Sequence, residues 1–415
     1  MIYDIAVIGG GAAGLTSAII AKNSNPDNKI VVIEALERVG KKLITTGNGR
    51  CNITNRFVGT DKYRSDDINA VKNILANYGV DTTVDFFESI GVNVVFEKDG
   101  RAYPMSYQAA SVVDALRFTA EEKGVEFFLG THIDDIVYNG NYELIYKDNR
   151  VLARSVIIAA GLLSGGNKIG SDGKIFNLLK SKGLKAERLS PSIVQLKTDT
   201  DITRQLKGIK LNANVTFLAE NKPLRQEFGE VLFTDYGLSG PPILQVSGLT
   251  ERVAGRKEIS LDLIPNISQN ELLNELRSRR ERLKDRTAEN FLVGFINKRV
   301  GQVLSKKSNV NLNGKTEVIT DNSLKTLALL LKDLRFNVTA TTGFINSQVT
   351  SGGIMLQNVS ANDLQCKKFK GMFFAGEILN VDGDCGGYNL QWAWSSAMAA
   401  ANGATRYLRD KNAVN

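Results

Sequence analysis

The chain has 415 residues, of which 43% are hydrophobic and 23% are charged, and its formal net charge is +8. This composition excludes a disordered or fibrous chain, and the length predicts two or three domains. No apolar run approaches the roughly 20 residues of a membrane span, and the first strand begins at Tyr3, which leaves no room for a cleavable signal. We therefore expect a cytoplasmic protein without a membrane partner.

Cysteine and histidine are scarce, which excludes several kinds of site. The three cysteines, Cys51, Cys366 and Cys385, are too far apart for a CxxC metal site and do not suit a disulfide framework. His132 is the only histidine, so histidine triads and multi-histidine metal sites are excluded within one chain. We expect no metal, and we expect His132 to be a structural or exposed residue in a strand over 127–138.

The first strand leads directly into a glycine turn. The apolar run 5–8 precedes the sequence Gly-Gly-Gly-Ala-Ala-Gly at 9–14, and a helix-forming stretch follows at 15–22. Gly11 lets the backbone approach a pyrophosphate, and Gly14 allows close packing of helix on strand. The phosphates are expected at the helix N-terminus, where free N–H groups and the helix dipole favour an anion. The predicted contacts in this turn are Gly9, Gly11, Ala12, Ala13 and Gly14.

A second buried strand follows the first helix. This strand, Ile30–Ile33, ends at Glu34, 20 residues beyond Gly14. An acid at this distance is expected to bind the hydroxyl pair of a ribose. Because FAD and NAD both present an ADP half to such a unit, the start of the chain predicts a dinucleotide site and leaves the two cofactors open.

The pattern of elements changes twice in the middle of the chain. Strands and helices alternate to about residue 190, and the last buried strand of this part, 151–160, ends at Gly161. Strands without intervening helices follow, at 212–218 and 258–263, which is typical of an antiparallel barrel or sandwich. From Ser268 the pattern is helical, with helices predicted over 271–283, 288–303 and 323–334.

Much of the positive charge lies between Arg277 and Lys307. Acidic residues and leucines at helical spacing share this stretch, which favours a solvated amphipathic helix face over an RNA groove. Aromatic residues are not interleaved with the cations, so a surface that stacks single-stranded bases is less favoured too. We therefore expect a small-molecule substrate as the partner rather than nucleic acid, and the sequence leaves the oligomeric state open.

A second strand-to-glycine turn near the end of the chain selects FAD. The buried strand Met372–Ala375 is followed by Gly376 and Glu377, and a helix is predicted to begin near Asn389. FAD needs a second anchor for its ribityl chain and flavin, and Glu377 is expected beside the ribityl chain or phosphate-side water. The helix N-terminus is expected to face the N1–C2=O edge of the flavin, where it stabilises the anion formed on reduction.

Three blocks of sequence resemble one bacterial family. The blocks are Arg38–Asn55, Phe233–Pro241 and Gly376–Ser395. They resemble two-dinucleotide-binding-domain flavoproteins described as NAD(P)/FAD-dependent oxidoreductases, which include aminoacetone oxidases and 3-dehydro-bile acid reductases. The resemblance implies an α/β fold in which a Rossmann-like FAD-binding domain is interrupted by an inserted antiparallel β-barrel and a small helical domain. The predicted parts are 1–190 and 343–415 for the FAD-binding domain, 191–267 for the barrel and 268–342 for the helical domain.

The resemblance also implies which residues bind FAD. Lys41 and Lys42 can offset the charge of the pyrophosphate, and glycines at 47 and 49 let their loop lie against the cofactor. Ile133 is expected to offer its backbone to the adenine. The full set of predicted cofactor contacts is Gly9, Gly11, Ala12, Ala13, Gly14, Glu34, Lys41, Lys42, Arg50, Cys51, Asn52, Ile133, Gly161, Gly376, Glu377, Asn389 and Leu390.

Cys51 is expected to pack against the flavin rather than to act as a redox thiol. Disulfide reductases of similar fold place a cysteine pair beside the flavin, but no second cysteine follows Cys51 within ten residues. A small buried cysteine usually acts as an apolar packing residue. A contact between Cys51 and Cys385 stays open.

The expected activity is hydride transfer through flavin N5, with NADH or NADPH as a transient electron donor. The favoured acceptor is a conjugated ketone, such as a 3-dehydro-bile acid or a steroid-like enone. Its reduction needs a proton donor, for which Tyr236 or a water is the candidate, because Asp235 stands where many family members have histidine. No other catalytic residue is predicted. Two alternatives remain: an amine oxidase that uses oxygen, and an RNA-associated flavoprotein.

Overall fold

A computed structural model describes residues 1–414 and divides the chain into two compact units. The first unit comprises Met1–Pro191 and the chain from Ser347 onward, and the second comprises Ser192–Asn346. Within the described residues, no helix combines the length and the apolar character that crossing a membrane requires.

The elements of both units are numbered together in chain order. The first unit contains the strands β1 (Ile2–Ile8), β2 (Ile30–Ile33), β3 (Thr54–Asn55), β4 (Tyr63–Ser65), β5 (Val94–Phe96), β6 (Arg101–Pro104), β7 (Glu126–Phe128), β8 (Asp135–Asn139), β9 (Asn141–Tyr146), β10 (Asn149–Ile158), β11 (Ala186–Ser192), β18 (Val349–Ile354), β19 (Met372–Phe374) and β20 (Val381–Gly383). Its helices are α1 (Ala12–Ser24), α2 (Lys41–Thr45), α3 (Ile68–Asn77), α4 (Val80–Ser89), α5 (Ala109–Glu122), α6 (Lys174–Ser181) and α11 (Tyr388–Val414).

A seven-stranded sheet forms the centre of the first unit. Its order is β7-β2-β1-β10-β9-β8, and β19 pairs with the second half of β10. The strands β7, β2, β1, β10 and β19 run parallel, whereas β9 pairs antiparallel with β10 and with β8. This arrangement confirms the predicted Rossmann-like domain.

The parallel strands β2 and β19 and the second halves of β1 and β10 are buried on both faces, which explains their continuous apolar sequences. In β1, Ala6 and Ile8 belong to one apolar core, whereas Ile5 and Val7 belong to the other. The first core includes residues of α3 and α6, and the second includes residues of α1, α5 and α11. The sheet is therefore covered by helices on both sides, as doubly wound α/β folds require.

The second unit contains a closed antiparallel barrel. Its strands are β12 (Leu196–Thr198), β13 (Lys210–Ala219), β14 (Lys222–Phe233), β15 (Gly237–Ser239), β16 (Lys257–Asp262) and β17 (Leu334–Thr341), and its helices are α7 (Pro241–Ser247), α8 (Gln269–Arg282), α9 (Lys298–Lys307) and α10 (Asp321–Lys332). The barrel order is β12-β15-β14-β13-β16-β17, closed by pairing of β17 with β12. The inserted barrel and helical region predicted from the sequence are thus confirmed.

The helices α8, α9 and α10 lie within the sequence of the barrel, because β17 follows them in the chain. One apolar core contains both Phe217 and Phe336 of the barrel and Leu276 and Leu327 of the helices. The four-part division at residues 190, 267 and 342 stays a proposal.

Two predicted elements are wrong in part. His132 is exposed in a loop between β7 and β8, not in a strand, because the N–H groups of Gly130 and Thr131 bond to the carbonyls of Leu36 and Glu34 instead of a strand ladder. The helix predicted over 288–303 is interrupted as well. Gly294 has a φ of +83°, and the Asn297 side chain caps a new helix by accepting from the N–H groups of Arg299 and Val300.

Candidate cofactor-binding and active site

The predicted cofactor residues gather at one edge of the central sheet. The register of β1 beside β2 and β10, and of β10 beside β19, brings the carboxyl ends of these strands together. The segments that follow them begin with Gly9, Glu34, Ala159 and Ala375. Ligands of open α/β sheets bind outside the carboxyl ends of such strands. The edge is therefore the candidate site of this unit.

The glycine turn at this edge fits a pyrophosphate. A Cβ atom at Gly14 would lie 1.8 Å from the Gly9 carbonyl oxygen, and one at Gly9 would lie 2.5 Å from that of Ala159. A Cβ at Gly11 would instead meet no atom within 4 Å. Helix α1 begins there without a side-chain cap, so no capping side chain occupies its first N–H groups, which can bind an anion.

Glu34 lies where the ribose-binding acid was predicted. Its Oε2 accepts a hydrogen bond from the Gly10 N–H at 2.7 Å, and its Oε1 accepts one from the Leu36 N–H at 2.9 Å. These bonds hold the half-buried carboxylate beside the glycine turn. The remaining lone pairs of its oxygens can accept from hydroxyl groups.

Glu377 and Lys42 form an ion pair that joins the two ends of the chain. The Lys42 Nζ lies 2.6 Å from Oε2 of Glu377. The same carboxylate accepts from the N–H groups of Leu162 at 3.3 Å and Thr350 at 3.0 Å. Glu377, predicted to act near the ribityl chain, thus also binds three separate segments of the first unit.

Gly376, beside Glu377, brings the C-terminal anchor to the first glycine turn. Its φ is +76°, and a Cβ there would lie 2.9 Å from the Cβ of Ala13. Its N–H donates to the Ser396 hydroxyl at 2.8 Å. The two glycine turns predicted from opposite ends of the sequence are therefore neighbours.

The loop at residues 47–51 has a strongly left-handed backbone. Gly47, Asn48, Gly49 and Cys51 all have positive φ values, between 56° and 81°. Asn48 and Cys51 carry side chains in a region that usually favours glycine. Strain of this kind persists where the surrounding structure imposes it and is frequent at ligand-binding sites.

Arg50, in the same loop, contacts Tyr103. Its guanidinium carbon lies 4.6 Å from the centroid of the Tyr103 ring, and Tyr103 stacks on Tyr107 at 5.5 Å. Arg50 also lies 3.9 Å from Glu97. These contacts hold the arginine side chain in one place.

The start of α11 packs against this loop. The Trp394 indole N–H donates to the Ile53 carbonyl at 2.9 Å, and Asn55 donates to the Gly386 carbonyl at 2.8 Å. Asn389 accepts from the Gly383 N–H and donates to the Gly383 carbonyl. The predicted contacts Cys51, Asn52, Asn389 and Leu390 thus lie on elements that pack against each other.

Three further polar residues belong to this edge and were missed from the sequence. Thr350 Oγ1 accepts from the Ser164 N–H at 2.9 Å, and Ser164 and Ser347 bond through their hydroxyls at 2.8 Å. All three are buried. Ser347 and Thr350 lie in the segment from 343 that was predicted to belong to the FAD-binding domain, and Ser164 follows the predicted contact Gly161. No sequence pattern marked these three side chains individually.

No cysteine of this unit forms a disulfide among residues 1–414. Cys51 is fully buried, and its burial raises the pKa of the thiol to about 12. Burial also raises the pKa of the Cys385 thiol. The burial of Cys51 and the absence of a disulfide at this residue agree with a packing role. Residues 1–414 contain no group of three or more His, Cys, Asp or Glu side chains arranged to bind a metal ion.

Ile133 and Tyr236 were predicted at the site as well. Ile133 is buried in the loop between β7 and β8, within the first unit. Tyr236 belongs to the second unit, in the turn between β14 and β15, where 36% of the residue is exposed. The roles of both residues stay predictions.

Asp235, beside Tyr236, is a poor proton donor. Its Oδ2 lies 2.6 Å from the Lys207 Nζ, and the hydrogen bond from Lys207 lowers the pKa of the carboxyl group. The group is therefore ionised at neutral pH. This leaves Tyr236 or a water as the candidate acid in this turn.

Comparison with known proteins places the chain in a family. Residues 3–403 match the family described as HI0933-like protein Rossmann domain. The chain is 31% identical over 406 residues to a 3-dehydro-bile acid delta(4,6)-reductase of Clostridium scindens, covering 96% of this chain and 98% of that protein. It is 27% identical over 404 residues to the ribosomal RNA dihydrouridine synthase of Escherichia coli, covering 96% and 97% of the two chains.

Solved structures show the same fold at lower identity. The 3-ketosteroid delta1-dehydrogenase from Sterolibacterium denitrificans has a TM-score of 0.53 and 13% identity, covering 98% of this chain and 99% of that chain. The chain has a glycine turn that fits a dinucleotide, and it matches the family along nearly its whole length. It therefore belongs to the HI0933-like Rossmann family and is an FAD-dependent flavoprotein oxidoreductase.

Proposed function

We propose that the enzyme reduces a carbon–carbon double bond conjugated to a carbonyl group. The main support is the Clostridium scindens relative, whose name describes reduction of a 3-dehydro-bile acid, that is, a conjugated ketone. The name dihydrouridine synthase describes saturation of a uracil ring, in which the reduced double bond is also conjugated to a carbonyl. The two names therefore share one kind of chemistry.

The favoured substrate is a cyclic enone of the 3-dehydro-bile acid or steroid type. FAD supplies hydride transfer at its N5 atom. The chain's own contribution is to hold the cofactor through the glycine turn and the pair of Lys42 and Glu377. Tyr236 or a water supplies the proton to the α-carbon.

The proposed electron donor is NADH or NADPH. The sequence contains no second complete GxGxxG unit, so the nicotinamide is expected to bind transiently rather than in a dedicated domain. An amine oxidase that uses oxygen is the competing proposal, and the two differ in how the flavin is reduced.

The first test is an anaerobic titration of the purified holoenzyme with NADPH and NADH, monitored by flavin absorbance. The proposal predicts rapid bleaching, followed by reoxidation when a 3-oxo-Δ4 bile acid is added. If dithionite reduces the flavin but neither nicotinamide does, the reductase proposal fails. Bleaching by aminoacetone instead would support the oxidase.

A uridine base in RNA is the second candidate substrate. The Escherichia coli relative carries ribosomal RNA in its name. The second unit also has 23 Lys and Arg residues against 17 Asp and Glu, so most of the net positive charge of the chain lies there. Mass spectrometric detection of dihydrouridine in rRNA treated with enzyme and NADPH tests this candidate, and its absence contradicts it.

A further inference from the structure

We propose that the exposed face of α9 (Lys298–Lys307) binds the phosphate backbone of RNA. This inference goes beyond the proposed reaction, because it concerns a surface of the second unit rather than the flavin site. The acidic residues that favoured a solvated helix face over residues 277–307 lie outside α9.

The charge of α9 is unbalanced in a way that its neighbour α8 is not. Lys298, Arg299, Lys306 and Lys307 are all exposed, and α9 contains no acidic residue. Within the part of the chain that the structure describes, none of these four cations forms an ion pair with a carboxylate. On α8, by contrast, Arg277 pairs with Asp321 and Arg282 pairs with Glu275, while Arg279 donates to the Phe291 carbonyl.

The helix dipole disfavours the two cations at the start of α9. Lys298 and Arg299 occupy its first turn, directly after the cap Asn297. A positive side chain at a helix N-terminus opposes the helix dipole and costs about 0.3–1 kcal/mol. An anionic partner that binds both the cations and the dipole removes this penalty.

The arrangement suits a linear polyanion. Arg299 and Lys306 are seven residues apart and lie on the same face of the helix. Lys298 and Lys306 are separated by about 12 Å along the axis, from a rise of about 1.5 Å per residue. Two clusters of cations along one helix can follow successive phosphates of a strand.

The opposite face of α9 is not free to insert into a membrane. Val300, Val303 and Leu304 are buried in the core of the second unit. A helix that lies in a membrane interface must insert its apolar face, and this face is already occupied. The exposed face offers charge alone, which is the kind of surface that a phosphate backbone requires.

The positive surface continues beyond α9. The Arg299 Nε donates to the Gln205 carbonyl at 3.3 Å, next to Arg204 in the turn that follows β12. The acidic side chain of Glu289 faces α9 and accepts from Gln302 at 2.8 Å. The cations of this surface thus outnumber its acids, as in the whole unit.

The test measures binding of a fluorescein-labelled, uridine-containing rRNA hairpin to the holoenzyme by anisotropy, at several salt concentrations. The variants are Lys306→Gln with Lys307→Gln, and Lys298→Gln with Arg299→Gln. The matched control is Arg282→Gln with Lys325→Gln, which removes two exposed charges from α8 and α10. Each α9 variant is expected to weaken binding about 10-fold and to reduce the salt slope by about 1.4, at about 0.7 per phosphate contact.

The measurements distinguish a loss of RNA binding from a loss of folding or of enone reduction. The Lys298 and Arg299 variant is expected to keep its flavin absorbance, cooperative unfolding and reduction of a small enone, while its RNA affinity falls. The proposal is overturned if the control variant loses as much RNA affinity as the α9 variants. It is also overturned if both α9 variants bind RNA as tightly as the wild type. A heparin fragment of equal charge that binds as tightly through the same four residues also overturns it, since the surface then selects charge and not RNA. Loss of enone reduction without loss of RNA binding contradicts only the proposed reaction.

Discussion

Two glycines of the first turn meet different constraints, although they lie only three residues apart. Gly14 is in contact with backbone, because a Cβ there would lie 1.8 Å from the Gly9 carbonyl oxygen. Gly11 has open space beside it and a φ of −85°, which any residue can adopt. The fold therefore requires Gly14, whereas only a ligand requires Gly11.

Gly11→Ala is expected to weaken FAD binding at least about 10-fold, or about 1.4 kcal/mol, because the added methyl group occupies space predicted for the pyrophosphate. The thermal midpoint of the apoprotein should not change. Gly14→Ala is the matched variant, and it should destabilise the apoprotein by about 1–3 kcal/mol through overpacking. Absorbance titration and thermal unfolding measure the two effects. Wild-type FAD affinity in Gly11→Ala would show that the cofactor does not approach this residue.

Cys51 is expected to contribute to the alkaline sensitivity of the fold. Burial raises its pKa from an ordinary value of 9.0 to about 12, so between these values the folded protein retains a proton that the unfolded chain loses. The stability that this thiol contributes is therefore complete below pH 9 and is lost as pH rises towards 12.

Over that range Cys51→Ala should reduce the slope of unfolding free energy against pH by up to about 1.4 kcal/mol per pH unit. Urea unfolding at a series of pH values measures this slope, and the range from pH 6 to 8 is the internal control. An unchanged slope above pH 9 would contradict the prediction. Rapid alkylation of Cys51 at neutral pH would do so too.

At the scale of elements, the ion pair of Lys42 and Glu377 connects α2 with the segment after β19. The side chains are 28% and 19% exposed, so solvent screens the pair only in part. Glu377→Gln keeps one acceptor but turns an amide towards Lys42. A double-mutant cycle with Lys42→Met should give a coupling energy of about 0.5–3 kcal/mol in urea unfolding of the apoprotein. Additive effects would mean that the pair does not couple the two segments.

Elements with a strong local pattern could be predicted from the sequence. The strand predicted over 30–33 has these bounds, and the first strand, the glycine turn and the helix occur in the predicted order. The two strands are buried on both faces, so each apolar run in the sequence marks the residues of a strand directly. The strand predicted over 127–138 failed because residues 130 and 131 bond to the loop after β2, which no local pattern reveals.

The candidate site could be predicted only where the cofactor imposes a residue type. The spacing of the glycines in the first turn and of Glu34 was enough to predict a dinucleotide site. The structure places these residues at one edge of the sheet. Thr350 and Ser164 act through hydrogen bonds to segments distant in sequence. A threonine or serine in a loop gives no such signal, and the pairing of Lys42 with Glu377 across 335 residues needed the fold.

At the scale of the whole molecule, the second unit has one shared core although the sequence suggested separate barrel and helical domains. Leu327 of α10 is fully buried in the same core as Val215 and Phe217 of β13. Removal of a helical side chain from a shared core should loosen the barrel as well. Independent domains would respond separately.

Leu327→Ala is expected to cost about 2–5 kcal/mol and to accelerate amide hydrogen exchange in both α10 and β13. Leu329→Ala is the control on the same helix, because Leu329 is 48% exposed and its loss should change stability by less than about 0.5 kcal/mol. Hydrogen exchange read by mass spectrometry measures both segments in one experiment. Faster exchange confined to the helices, with β13 fully protected, would support an independent helical domain over 268–342. Parallel acceleration in β13 and α10 means that barrel and helices unfold as one cooperative unit, so that the insertion must fold as a whole.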